Sequence, residues 1–370
     1  MEKKAVTEKP TSAKGSRLGY LDWTRGLAAA IMLQGHVFHS YTSKDLRQGS
    51  PYILSQFVGG MPPAIFLFLT GVTLAFLMHS FERKGIQGWE RITTSLRRAG
   101  YLFALAFAFR LQLWLFGLPS SRLTDLLRVD ILNCMGFAIA VMSVMSVFST
   151  KDRIRHCAVL GLGIAAVSPL VSSLDWSAAP PLLTMYLAPD YNYFSFFPWA
   201  SFLAFGMSAG SILRLAKTEQ IERMMQWGAL AGFAMILGGQ YFSNLPYSLY
   251  EKSDFWLNGP TLILIKTGVI LLMLSFAYVW CAYVVKERWS WLCQIGTTSL
   301  LVYWVHTELV YGRWFWMWKE NLSVPQTVIV AAFVIVSMVA LSTIKTRWNE
   351  VRLMLPVPLQ RRMSAAFKYK

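Results

Sequence analysis

The chain has 370 residues, of which 55% are hydrophobic and only 15% are charged. Together with a mean hydropathy of +0.43, this composition excludes an ordinary soluble globular protein. The formal charge of +16 does not indicate a nucleic-acid partner, because the basic residues lie in gaps between apolar runs and not along one soluble surface. Anionic lipid headgroups are the expected partner of these residues.

Apolar runs divide the chain into segments that can cross a bilayer as helices, since one crossing needs about 20 residues. The sequence therefore predicts an all-α, polytopic integral membrane protein with ten transmembrane helices. These helices are predicted at residues 21–41, 61–80, 98–117, 129–149, 155–174, 194–213, 226–244, 259–284, 291–311 and 325–344.

Lysine and arginine are distributed unequally among the connections between these spans. With the N-terminus inside, the inside segments hold 25 of the 35 basic residues and the outside segments hold seven. Short cytoplasmic loops carry such an excess, so both termini are predicted to be cytoplasmic. The predicted organisation is a cytoplasmic segment at 1–17, one transmembrane domain at 18–345 and a basic cytoplasmic tail at 346–370.

The first span, "LDWTRGLAAAIMLQGHVFHS", contains ionisable side chains that are costly in contact with lipid. Asp22 and Arg25 are three residues apart, and His36 follows Arg25 by eleven residues, which returns it to the same helix face. About 16 Å along the helix axis separates Arg25 from His36. The predicted site therefore has two ends at different depths, although an interfacial ion pair and a core histidine are the alternatives.

Five further polar residues lie within or beside later spans. His306 in the ninth span falls at a depth similar to that of His36, either as a helix-packing group or as part of the site. The others either pair with one another or meet an anionic substrate inside the bundle. They are Arg110, Asp130, Asn133 and Lys266.

Motifs for metals and nucleotides are missing from the sequence. The four cysteines form no C-x-x-C pair, and no H-E-x-x-H, P-loop or G-x-G-x-x-G pattern occurs. No metal site and no disulfide framework are predicted, and the missing patterns argue against a nucleotide-hydrolysing pump.

Residues 17–40, "RLGYLDWTRGLAAAIMLQGHVFHS", resemble the opening signature of membrane acyltransferases, R-x-x-x-x-D-x-x-R-G-x-A. The spacing from Arg25 to His36 is similar to that in the acyltransferase-3 family, in which the corresponding histidine is held to be catalytic. Other pieces resemble the heparan-alpha-glucosaminide N-acetyltransferase group, especially its bacterial members. They are "PPAIFLFLTGVTLAF", "RVDILNCMG", "FFPWASFLAFGMSAG" and "TTSLLVYWVHTELVYG".

The resemblance implies acetyl transfer from cytoplasmic acetyl-CoA to a carbohydrate or glycolipid acceptor at the outer face of a bacterial cytoplasmic membrane. The resemblance does not decide whether the protein forms a homo-oligomer. For His36 the resemblance implies catalysis. The positions and charges of the other residues favour a catalytic role for His306, donor binding for Asp22 and Arg25, and support or substrate binding for Arg110, Asp130, Asn133 and Lys266.

One difference from the family limits what the resemblance implies. The eukaryotic glucosaminide enzyme has its active-site histidine after the first span in an H-x-x-W-N-G-like stretch, whereas this chain reads "RQGSPYILSQFVGGMPP" there. The acceptor specificity is therefore not implied, and neither is N- over O-acetylation. His36 is either a general base or a nucleophile. A proton-coupled transporter with His36 and Asp130 as its relay and a non-catalytic membrane partner remain alternative functions.

Overall fold

The computed structural model describes residues 18–118, 121–286 and 288–348. In these ranges no β-strand forms, and the sole bridge pairs Thr42 with Leu322, so the all-α class is confirmed. The α-helices are α1 Gly19–Tyr41, α2 Ser50–Gly59, α3 Pro62–Arg83, α4 Gly88–Gly117, α5 Ile131–Met142, α6 Thr150–Ser173, α7 Pro181–Leu187, α8 Phe196–Leu215, α9 Ile221–Ser243, α10 Pro260–Trp280, α11 Trp291–Thr297, α12 Ser299–Tyr311 and α13 Val324–Thr346.

Every predicted span is largely helical, and seven helical stretches of the described chain are long and apolar enough to cross a membrane. These stretches do not include α1, α9, α11 or α12. The count of ten crossings and the cytoplasmic termini therefore stay predictions. The predicted segment 1–17 lies outside the described residues, as does the predicted tail beyond residue 348.

Three local features add detail to the predicted spans. The connection after the first span contains α2, which begins at a glycine–serine–proline start that favours a helix. The ninth span breaks at Thr298 into α11 and α12, where the Thr298 side chain shares a 2.6 Å hydrogen bond with Ser342 of α13. The α-helix of the fourth span ends at Met142 and continues as a 3₁₀ turn, Ser143–Val147.

Helix α1 lies at the centre of the bundle and contacts α2, α3, α10, α11, α12 and α13. Two glycines allow its close approach to α11. A Cβ atom on Gly26 would overlap the carbonyl oxygen of Leu292, and one on Gly296 would overlap that of Asp22. Small residues of this kind let helix backbones pack tightly in membranes. The packing encloses the polar face of α1 within protein.

The outer helices pair around this centre. Helix α8 packs against α3 and α6, α4 packs against α5, and α9 packs against α10. Helix α9 buries few residues and exposes large apolar side chains such as Leu230, Phe233 and Leu237. Such a surface suits the hydrocarbon region of a bilayer, where no water is available to polar groups.

Cysteine labelling in intact cells tests the orientation predicted from the basic residues. Ser177 and Lys217 are exposed residues in the connections at the two ends of the α6–α8 pair. A membrane-impermeant maleimide should label Ser177→Cys in intact cells and Lys217→Cys only after permeabilisation, with the unsubstituted protein as the background control. Labelling in the opposite order would show that the bundle is inverted.

Candidate active site

A cavity of about 1090 Å³ follows α1 through the bundle. Arg25 lines it near one end of α1, and His36 and His39 line it near the other. Sites for one small ligand occupy about 300–1,000 Å³, so this cavity is at least as large as a site for one large ligand. We call the part around Arg25 the arginine end and the part around residues 190–194 the loop end.

His36 and His306 form a hydrogen-bonded pair in the wall of this cavity. His36 Nδ1 lies 2.9 Å from His306 Nε2, and the two rings stack with centroids 5.1 Å apart. His36 lines the cavity, whereas the His306 side chain is fully buried behind it. The structure thus brings together the two histidines that the sequence placed at similar depth.

Hydrogen bonds fix which nitrogens of the pair carry protons. His306 Nδ1 lies 2.7 Å from the carbonyl oxygen of Val302, which only accepts, so we assign the His306 proton to Nδ1. His306 Nε2 is then an acceptor, and His36 Nδ1 must be the donor of the bond between them. In the neutral pair, His36 Nε2 therefore keeps a free lone pair.

Contacts on both sides of α1 hold His36 in place. On one side, the Ser40 hydroxyl donates to the Val310 carbonyl at 2.8 Å and so joins α1 to α12. On the other side, the Gln56 side-chain amide donates to the carbonyl of Gly35 at 3.0 Å and joins α1 to α2. Because Gly35 precedes His36 in the chain, this bond fixes the backbone next to the histidine.

The arginine end carries two guanidinium groups from different helices. Arg25 Nη1 lies 3.0 Å from Asp22 Oδ1, so the predicted i, i+3 pair forms. Asp22 is buried, and Arg25 is partly exposed to the cavity. Arg98 of α4 lines the same end and is exposed. The sequence did not single out Arg98, because nothing in the α4 pattern says that this residue lines a cavity.

Arg110, Asp130 and Asn133 form a separate cluster that does not line the cavity. Arg110 Nε lies 3.2 Å from Asp130 Oδ2. Asp130 also caps α5, because its Oδ1 accepts the backbone N–H groups of Leu132 and Asn133. Pairing of Asp130 with Arg110 was one of the two predicted alternatives. Asn133 lies beside Asp130 because it belongs to the first turn of the helix that Asp130 caps.

Lys266 of α10 lines the cavity apart from this cluster. Its Nζ donates to the carbonyl of Gly60 at 3.2 Å and lies 5.2 Å from the ring centroid of Trp199. The predicted alternative that pairs Lys266 with Asp130 is therefore not observed.

Aromatic side chains and two loop contacts shape the loop end. The Tyr191 hydroxyl donates to Asp254 Oδ2 at 2.7 Å, and this bond lowers the pKa of the Asp254 carboxyl group. Arg128 donates to the backbone carbonyl of Asn192 at 3.3 Å. The aromatic residues lining this part of the cavity are Tyr191, Tyr193, Phe194, Trp199 and Trp256.

In the part of the chain that the structure describes, no group of three His, Cys, Asp or Glu side chains could hold a metal ion. Cys134 and Cys157 are buried, Cys281 and Cys293 are half-buried, and none of the four forms a disulfide among the described residues.

Helices apolar enough to cross a membrane, together with a cavity that charged side chains line, define an integral membrane protein with a reaction or transport site among its helices. The model of the catalytic domain of heparan-alpha-glucosaminide N-acetyltransferase matches residues 17–243, and the chain belongs to this family. It is therefore a membrane acetyltransferase, as the resemblance predicted. No individual curated protein matches the chain. His36 lies within the matched residues, whereas Lys266 and His306 follow them.

Substitution of His306 tests whether it orients His36. His306→Leu removes the acceptor for His36 Nδ1, so we expect turnover to fall by about tenfold, which is less than the roughly 10²–10⁴-fold attributed to a general base itself. His306→Gln offers a side-chain oxygen to the same proton and should retain more turnover. Acetyl transfer, its pH profile and thermal stability should be measured for both proteins. Equal losses with equal thermal stability would contradict an orienting role.

Proposed function

We propose that the chain transfers an acetyl group from cytoplasmic acetyl-CoA to an amino or hydroxyl group of a glycan or glycolipid acceptor at the outer face. The main support is the free lone pair of His36 Nε2, which the Val302–His306–His36 hydrogen bonds leave in the wall of the cavity. The same cavity extends from His36 to Arg25, so two substrates can enter from opposite ends.

The arginine end suits the donor. Coenzyme A carries phosphate groups, and a guanidinium binds phosphate oxygens through paired hydrogen bonds. Arg25 and Arg98 both line this end, and Asp22 contacts Arg25 from outside the cavity. We assign Asp22 to positioning Arg25, since a carboxylate would repel the phosphates directly.

His36 suits the role of general base. The acceptor nitrogen or oxygen attacks the thioester carbonyl carbon while His36 Nε2 removes its proton. The new bond joins this atom to the acetyl group, the carbon–sulfur bond breaks, and the coenzyme A thiolate leaves. The imidazolium then returns the proton to the thiolate. His306 continues to accept the Nδ1–H of His36 throughout.

A two-step route uses the same lone pair differently. His36 Nε2 would attack the thioester and carry the acetyl group before the acceptor takes it. Both routes need the same tautomer. We favour direct transfer, because Arg25 and His36 line one cavity in which a donor held at Arg25 can meet an acceptor at His36.

The transporter alternative finds less support. Asp130 is paired with Arg110 and caps α5, and it does not line the cavity that His36 lines. Among the described residues, no hydrogen bond joins Asp130 to either histidine of the pair. A proton relay between His36 and Asp130 would therefore need groups that connect the two residues, and the hydrogen bonds of the described residues do not supply them.

Arg25→Lys tests the donor site. The lysine keeps the positive charge but loses the paired donors of the guanidinium, so acetyl-CoA should bind about tenfold more weakly, which corresponds to about 1.4 kcal/mol. Calorimetric titration of the purified protein measures this affinity. Arg223→Lys, at an exposed position of α9, is the matched control. If Arg25→Lys binds acetyl-CoA with unchanged affinity, Arg25 does not bind the donor and only orients α1 in the membrane.

His36→Ala tests the base. Acetyl-CoA binding should persist, whereas turnover should fall by about 10²–10⁴-fold. His156→Ala, which removes an exposed histidine of α6, should leave turnover unchanged. Full acetyl transfer by His36→Ala would remove this residue from the mechanism. Mass spectrometry of wild-type protein after exposure to acetyl-CoA alone separates the two routes, because an acetyl group on His36 would indicate the two-step route.

A further inference from the structure

Lys266 is a cation in the cavity wall that the acetyl transfer described above does not use. Among the described residues, the carbonyl oxygen of Gly60 is the one hydrogen-bond acceptor of its Nζ, although an ammonium group carries three N–H donors. The Trp199 ring supplies a second favourable contact. The remaining donors of Lys266 are available to a ligand in the cavity.

Among the described residues that line the cavity with Lys266, Asp190 carries the one carboxylate, and it does not pair with the ammonium group. Within the described ranges, no aspartate or glutamate oxygen lies within 4.0 Å of Lys266. Asp190, which lines the same cavity, accepts the backbone N–H of Asn192 at 2.6 Å. Asp130 is paired with Arg110. An ammonium group in a bilayer-spanning helix usually faces a counter-ion or a wet cavity, so the missing counter-ion points to an anionic ligand.

Lys266 is linked to the surroundings of His36 through α2. A Cβ atom on Gly35, the residue before His36, would lie 3.3 Å from Gly59 Cα. The next residue, Gly60, accepts the hydrogen bond from Lys266. The backbone of Gly59 and Gly60 therefore contacts α1 beside His36 and also contacts the ammonium group of Lys266. His36 and Lys266 also line the same cavity, so a molecule bound at His36 can extend to Lys266.

The chemistry around Lys266 suits a sugar that carries a negative charge. Tyr193, Trp199 and Trp256 line the loop end of the cavity and present flat apolar faces on which sugar rings can stack. Arg128 lines the same part of the cavity and adds a second positive charge. Positive charges facing a ligand favour a partner of opposite charge and suppress others.

We infer that Lys266 binds an anionic group of the acceptor, and that the acceptor is therefore an acidic sugar bearing a phosphate or a carboxylate. This inference rests on the proposed acetyl transfer at His36. Lys266 is a specificity-determining residue in this scheme, because it fixes the end of the acceptor that does not react.

Binding measurements on purified full-length protein test the inference. The probes are glucosamine, glucosamine 6-phosphate, muramic acid and inorganic phosphate. Wild-type protein should bind one or both acidic sugars about tenfold more tightly than glucosamine, a difference that corresponds to about 1.4 kcal/mol. Lys266→Met should reduce this ratio to near one. The acidic sugar whose affinity falls further identifies the charged group as phosphate or carboxylate.

Two further substitutions control for charge and folding. Lys266→Arg keeps the positive charge and should keep the preference for acidic sugars. Lys252→Met removes an exposed lysine from the connection before α10 and should also keep it. An equal affinity of wild-type protein for glucosamine and both acidic sugars would overturn the inference, as would an undiminished preference in Lys266→Met. Inorganic phosphate binding as tightly as the phosphorylated sugar would overturn the assignment to the acceptor.

The outcome for Lys266 can be separated from the outcome for the proposed function. Protein that binds acetyl-CoA and transfers the acetyl group, but shows no preference for acidic sugars, retains the function and loses the Lys266 assignment. If the protein prefers acidic sugars but neither binds acetyl-CoA nor transfers the acetyl group, the sugar-binding site stands and the proposed acetyl transfer is wrong.

Discussion

The hydrogen bond between His36 and His306 joins the first helix of the chain to a helix near its end, and the site depends on it. Because His306 Nδ1–H donates to the Val302 carbonyl, the 2.9 Å bond between the two histidines leaves one tautomer for each neutral ring. A histidine with freely exchanging tautomers would present its lone pair to the cavity part of the time. The pair instead keeps one nitrogen of His36 available to the substrate.

The membrane environment explains why α1 occupies the centre of the bundle. A helix that carries Asp22, Arg25 and two histidines cannot face lipid without a large cost, so its polar face must be enclosed by other helices. Close approach at Gly26 and Gly296 allows α11 to cover one side. The cavity follows the polar face that this packing encloses.

Sequence patterns predicted the helices and the polar face of α1, because long apolar runs and a 3.6-residue period depend on local order alone. The same reasoning placed His36 and His306 at similar depth. It could not show that Arg98 of α4 lines the cavity, that Asp130 pairs with Arg110 in preference to Lys266, or that α2 packs beside His36. These positions depend on which faces of the helices pack together. That packing includes close contacts at glycines that are far apart in the sequence.

Imidazole ¹⁵N NMR of histidine-labelled protein tests the central claim most directly. The chain contains five histidines, and spectra of single substitutions can assign each signal. For the neutral pair, the structure predicts that both His36 and His306 carry the proton on Nδ1, and that the unprotonated His36 nitrogen is Nε2. A His36 proton on Nε2 in the neutral protein would contradict the account, because the lone pair would then point at His306 and away from the substrate.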